Sequence, residues 1–258
     1  MKKFVVVLMV LGLVIGGSGM ASATLLVDRG LPTININNAA GANRSNVTWQ
    51  DVNGINFTGD DFTIGTVGQS YLIENLTVWG AQYNPLSLDI DNIWLYMSKY
   101  SDPLALVATG LVTDNTNSNP NITHMYVNYA DGTTYYEGNS GVHYQIAQTT
   151  FSGLNYLVEG GVKYKFGIDG DKWEWWNHAS NAALSGSPQE GADGKFLDFS
   201  LTDLSYVFVT DSGTNGGWDK SSDINVRITG VQVPEPATML LLGFGLVSLA
   251  GIRRKFRS

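Results

Sequence analysis

The sequence predicts an all-β protein: an antiparallel β-sandwich, jelly-roll-like, set between an N-terminal signal peptide and a C-terminal transmembrane helix. Three observations predict it. Gly, Asn, Thr, Ser and aromatic residues dominate the chain, and these favour strands and turns over helices. Short alternating or compact apolar segments recur at roughly even spacing, with turn signals between them. Each end carries an apolar run beside basic residues, unlike anything in between.

Residues 1–23 read as the signal peptide. Met1-Lys2-Lys3 supplies the positive start, residues 4–15 the apolar run, and Ala21-Ser22-Ala23 the small-x-small cleavage site. An uncleaved anchor is the alternative; the short run and the cleavage site favour removal, which leaves Thr24 first. The Sec translocon and signal peptidase are the partners this implies.

Residues 24–232 are the exported domain. Residues 24–233 hold nine basic and 22 acidic side chains, a net charge of −13. That field repels nucleic acid, anionic lipid, and any polyanionic sugar not bridged by a divalent cation. Cysteine is absent, so disulfides and thiolate chemistry are excluded and the domain depends on its core. About 210 residues are enough to build one.

The strands follow from alternation. Val162, Tyr164, Phe166 and Ile168 share one face of a half-buried strand. The sets Val142/Tyr144/Ile146, Met125/Val127/Tyr129 and Ile224/Val226/Ile228 repeat the pattern. Residues 76–80, 93–97 and 206–209 read as more fully buried strands. Asn53-Gly54, Asp131-Gly132, Gly160-Gly161, Asp193-Gly194 and Gly216-Gly217 mark turns. Residues 175–184 are the one weak helix candidate, and the polar loop 114–120 is the one place where the domain would divide.

Catalytic signatures are sparse. No Gly-x-Ser-x-Gly, His-Glu-x-x-His or phosphate-binding Gly-rich loop occurs, and the histidines are His124, His143 and His178. A glycosidase needs two carboxylates across the scissile bond. Glu174, between Trp173 and Trp175, is the first candidate, against the reading of an exposed residue alternating with buried tryptophans. Asp169 and Asp171, like Asp89 and Asp91, offer alternate oxygens to a structural calcium ion, against plain turn chemistry; no other cofactor is expected. Of seven tryptophans, Trp79 and Trp94 fit a core, whereas Trp173, Trp175, Trp176 and Trp218 are candidates for stacking on sugar rings.

The tail closes the chain. Pro234 and Pro236 flank Glu235 in a stretch held extended and short of N–H donors. Residues 237–252 then carry no charge, and Arg253, Arg254, Lys255 and Arg257 follow within 253–258. At about 1.5 Å per residue the uncharged run reaches ~24 Å, short of a ~30 Å hydrocarbon core unless the bilayer thins and the arginines snorkel. A buried C-terminal helix is the alternative, but only Thr238 and Ser248 would form its polar face. The basic end should stay cytoplasmic.

Pro-Glu-Pro, the Leu- and Gly-rich span and the Arg-Arg-Lys-Phe-Arg end resemble the PEP-CTERM sorting signal of Gram-negative bacteria, over about a tenth of the chain at 233–258. The resemblance implies recognition by an exosortase and removal of the tail near Pro234-Glu235-Pro236. It implies a path from an inner-membrane intermediate to the outer surface or extracellular matrix, often with exopolysaccharide or biofilm. More loosely, Asp60-Asp61-Phe62, Val78-Trp79-Gly80, Ile93-Trp94-Leu95-Tyr96, Gly161-Val-Lys-Tyr164 and Trp173-Glu-Trp-Trp176 resemble a layout common among such proteins, which implies a β-sandwich without assigned activity.

Three functions are therefore weighed: a non-catalytic surface or matrix component, a carbohydrate-binding module using the tryptophans, and a glycan-active hydrolase. The first fits the two terminal signals and the missing catalytic motifs best.

Overall fold

Alternating segments close into sheets wherever one face can be buried, and the computed structural model bears this out. It describes residues 23–31, 46–48, 56–82, 90–112, 119–126, 136–137, 143–170, 175–181, 190–191, 193–200, 202–209 and 222–234, with Gly243 and Gly245 of the tail. The strands are β1 (Thr24–Arg29), β2 (Asn46–Thr48), β3 (Asn56–Thr63), β4 (Ser70–Gln82), β5 (Ile90–Lys99), β6 (Ala105–Val112), β7 (Ile122–Tyr126) and β8 (Tyr136–Glu137). They continue as β9 (His143–Phe151), β10 (Tyr156–Glu159), β11 (Lys163–Gly170), β12 (Trp175–Asn181), β13 (Phe196–Ser200), β14 (Tyr206–Val209), β15 (Ser222–Ile224) and β16 (Val226–Val233).

Two sheets result. The larger runs β1-β16-β4-β12-β15; β9 and β10 pair with β4, β7 and β8 with β9, and β2 with β12. The smaller runs β14-β13-β3-β11-β5-β6. The pairs nest from the middle of the chain outward: β5 with β6, β4 with β9 and β10, β3 with β11, and β1 with β16, each antiparallel.

One apolar core joins the sheets. Val27, Ile73, Leu76, Val78, Phe151, Val226 and Ile228 of the larger sheet meet Phe62, Ile93, Leu95, Met97, Tyr164, Phe166 and Ile168 of the smaller. Each such side chain, fully buried, contributes about 1.5–3 kcal/mol. The loop at 114–120 does not separate two cores, because Ile93 and Met97 before it share this cluster with Ile122 and Phe151 after it.

The smaller sheet is also covered on its other face. Phe57, Leu104, Leu197 and Phe199 are buried there, with Tyr96, Tyr100, Leu204 and Tyr206 packed against them. Gly167 makes room for this layer, since a Cβ there would come within 2.5 Å of the Phe57 ring and 3.2 Å of Phe199.

Two expectations are corrected. Residues 175–181 form β12, not a helix, because β4 and β2 flank its first half, both pairing with Trp176 and Asn177, and β15 pairs with Ala179–Asn181, so that neighbouring strands take up its backbone hydrogen bonds. In β7 the buried face belongs to Ile122, not Met125, which is 50% exposed. Val127 and Tyr129 lie outside the described residues. Among the described residues no helix is long and apolar enough to cross a membrane; the uncharged run at 237–252 is represented there only by Gly243 and Gly245, both helical.

Candidate functional site

The inward face of β3 carries polar residues where alternation calls for apolar ones. Phe62 is in the core, so Asp60 and Thr58, two and four positions earlier, share its face. Across the gap, Arg29 ends β1 in phase with the buried Val27. Its Nη1 donates to Asp60 Oδ2 and Asp223 Oδ1, each at 3.0 Å, and its Nη2 donates to the Asp61 carbonyl. Asp60 also accepts from the backbone N–H of Ile224 and of Asp61, both at 2.7 Å. Asp223 accepts from the N–H groups of Asp193 and Gly194. Asn225 Nδ2 donates to the carbonyls of Arg29 and Gly30, and its Oδ1 lies 2.6 Å from His178 Nδ1. The amide oxygen can only accept, so His178 carries its proton on Nδ1. Asn177 completes the seam by donating to Thr58 Oγ1 at 2.6 Å.

This seam is dry. The Arg29, Asp60 and Asp223 side chains are each 1% exposed. Burial holds the Asp60 carboxyl well above the usual carboxylate range despite Arg29, and raises Asp223 as well. Two carboxylates thus face one guanidinium. The guanidinium fills the space between them. A sugar cannot enter there, and the chemistry available is cohesion between the sheets.

A second cluster sits on the opposite face of β3 and β11. Lys163 Nζ pairs with Asp61 Oδ2 at 2.6 Å and lies 4.7 Å from the centre of the Tyr100 ring. Lys165 Nζ donates to the Tyr100 carbonyl at 3.1 Å and sits 4.5 Å over Tyr206. Burial lowers the Lys165 pKa, while burial and a hydrogen bond with Tyr206 raise that of Tyr100. Around the corner, a cleft of about 300 Å³ opens between the β5–β6 turn and β10, lined by Lys99, Asp102, Pro103, Tyr156, Glu159 and Tyr164. Glu159 on its rim is ion-paired with Lys99 at 2.7 Å.

The residues singled out in the sequence are placed as follows. Trp175 and Trp176 lie on β12, in register with Gln82 and Ala81 of β4. Trp79 is 3% exposed and belongs to the core, as expected, and Trp94 is half-buried. Asp169 is 6% exposed on β11, in register with Trp94 of β5. Among the described residues no group of three or more His, Asp or Glu could hold a metal ion. Ala23 is exposed next to β1, and Pro234 is exposed directly after β16. Ala21, Asp171, Trp173, Glu174, Trp218, Glu235, Pro236, Arg253 and Arg254 lie outside the described residues. The Arg29 seam is absent from the sequence reading. Its one signal was the inward phase of Val27–Arg29 and of Asp60–Phe62.

Pro234 follows Val233, the last residue of β16, with nothing in between. A family model of the PEP-CTERM protein-sorting motif matches residues 232–255. The chain carries a PEP-CTERM protein-sorting motif. The motif marks an exported protein sorted by an exosortase, its processing partner, with membrane-anchored sorting before cleavage. It begins inside the fold, because Gln232 and Val233 are also the last two residues of β16. No curated protein matches the chain significantly.

Proposed function

We propose that this protein is a non-catalytic component of the cell surface or extracellular matrix, associated with exopolysaccharide or biofilm and delivered by exosortase processing of its PEP-CTERM tail. The observation that carries the reading is the direct join between β16 and the motif, which makes the folded domain the cargo and the tail a removable handle. The nested strand pairs support a jelly-roll-like sandwich as that cargo. The burial of the Arg29-bridged carboxylates supports the absence of catalysis. In this reading a signal peptide ending at Ala23 directs export, residues 237–252 span the inner membrane with Arg253 and Arg254 in the cytoplasm, and no cofactor takes part. Cell fractionation tests it. Deleting residues 237–258 should strand the protein in the periplasm, and a deleted form that still reached the outer surface would overturn the sorting role.

A carbohydrate-binding module is the second reading. It is favoured by β12, which fixes Trp175 and Trp176 on a paired strand, the rigid support that a stacking platform needs. Loss of exopolysaccharide retention in Trp175→Ala and Trp176→Ala, with the melting curve unchanged, is the expected outcome of that reading.

A further inference from the structure

The end of the domain from which the tail leaves is built from known register. Val233 of β16 pairs with Ser70 at the start of β4, and Ser70 also pairs with Glu159 at the end of β10. Lys163 at the start of β11 pairs with Thr63 at the end of β3. The loop between β3 and β4 therefore projects from the same end as Pro234. It is an ordered tip. Gln69 N–H donates to the Thr66 carbonyl, Gly160 N–H to that of Gln69, and Gly161 N–H to that of Ile64. At its apex Val67 is 86% exposed, the most exposed large apolar side chain among the described residues.

The tether is short. Only Pro234, Glu235 and Pro236 separate β16 from the uncharged run at 237. Three extended residues reach at most about 11 Å. The headgroup layer on one side of a bilayer is ~5–7 Å thick. If the run begins at the hydrocarbon edge, Val233 has almost no room to stand away from the membrane. Charge does not oppose contact at this end as it does for the whole domain. Lys99, Lys163 and Lys195, three of the nine basic residues of the body, gather here against Asp61, Asp102, Glu159 and Asp193, a near balance where the body as a whole is at −13.

We propose that, before its tail is cut, the domain docks end-on against the lipid surface through the 64–69 tip, with Val67 reaching the headgroups. The exosortase then meets Pro-Glu-Pro in the seam between a folded wall and the bilayer. This rests on reading residues 237–252 as a membrane span.

The test places a single cysteine in a chain that has none. Val67→Cys, at the tip, is compared with Thr202→Cys, an exposed site beyond Ser200, which pairs with Asn56 at the far end of β3. Eight residues of β3 alone separate these ends by about 24 Å. The full, uncut chain is reconstituted in phosphatidylethanolamine–phosphatidylglycerol vesicles holding nitroxide-headgroup lipid, and each thiol carries a fluorophore. Quenching should be several-fold stronger at position 67 than at 202. A ten-residue Gly-Ser insertion between Val233 and Pro234 should bring the two to the same level. Equal quenching without the insertion, in chain that floats with the vesicles, would overturn docking and leave the span intact. Strong quenching that survived the insertion would overturn the tether argument. Chain that did not float with the vesicles would overturn the span, and docking with it.

Discussion

Arg29→Met is the most informative single change. The methionine keeps much of the aliphatic stem but removes both 3.0 Å contacts to Asp60 and Asp223 and the hydrogen bond to the Asp61 carbonyl. Two carboxylates at 1% exposure then share a dry space with only backbone N–H donors: Ile224 and Asp61 for one, Asp193 and Gly194 for the other. Breaking a buried ion pair from one side costs about 3–5 kcal/mol, because the remaining charge loses its partner without regaining water. Whole domains are stable by only ~5–15 kcal/mol. For a domain of this size the melting point should drop by about 6–20 °C. Urea denaturation followed by tryptophan fluorescence measures the loss, and pH separates charge from packing. Both carboxyls already have raised pKa values, so acidification neutralises them and the cost of Arg29→Met should shrink from pH 7 to pH 4. Adding Asp60→Asn should recover part of the loss at pH 7. A cost below ~1 kcal/mol, the value of an exposed pair, would refute the reasoning, as would a cost independent of pH.

Three other outcomes are expected. Because burial raises the folded pKa of Asp60, its contribution to stability is full below the unfolded carboxyl value of about 3.9 and declines as pH rises through the folded value; Asp60→Asn should remove that decline from denaturation midpoints measured across pH 4–7. His124, whose Nδ1 lies 2.7 Å from Thr149 Oγ1, has its pKa pulled down by burial to about 3, so its ring resonances should hold constant through pH 6.5 and move only near pH 3, with a midpoint near 6.5 refuting the assignment. Gly167→Ala should cost about 1–3 kcal/mol in a thermal melt by driving a methyl group into the Phe57 ring, and Phe57→Leu should recover part of it.

Period two made much of the core legible. Tyr164, Phe166 and Ile168 were assigned to one face of one strand, and all three are in the core. Ile224, Val226 and Ile228 are there too, although they belong to two strands broken at Asn225. The Asp193-Gly194 and Gly160-Gly161 turns are present, with φ of 76° at Gly194 and 73° at Gly161, conformations that favour glycine. Met125 was misjudged because alternation gives the period and not the phase: β7 turns its Ile122 side inward. Of the weak helix candidate at 175–184, the described part, 175–181, is a strand because local preference is weak against the pairing offered by three neighbouring strands.

The Arg29 seam was invisible for a different reason. Its members stand at positions 29, 58, 60, 177, 178, 193, 223 and 225, and nothing short of the full strand order brings them together. In the sequence Asp60-Asp61-Phe62 stands out only as part of a layout resembling other PEP-CTERM proteins, yet one carboxylate points between the sheets and the other outward to Lys163. The sorting motif was legible, since an address is read by its linear order and needs no fold.

The antiparallel pairing of β1 with β16 has a consequence for timing. In the proposed export route the first strand to cross the membrane must wait for the last, as Thr24 finds its register partner only when Gly230 has emerged. β16 is also an interior strand, wedged between β1 and β4, so the larger sheet stays split until it arrives. In the proposed route only Pro234, Glu235 and Pro236 then separate β16 from the run at 237–252 that halts the chain. Final closure of the fold and arrest of the tail are thus almost one event, and the sorting enzyme is presented with cargo that has only just finished folding.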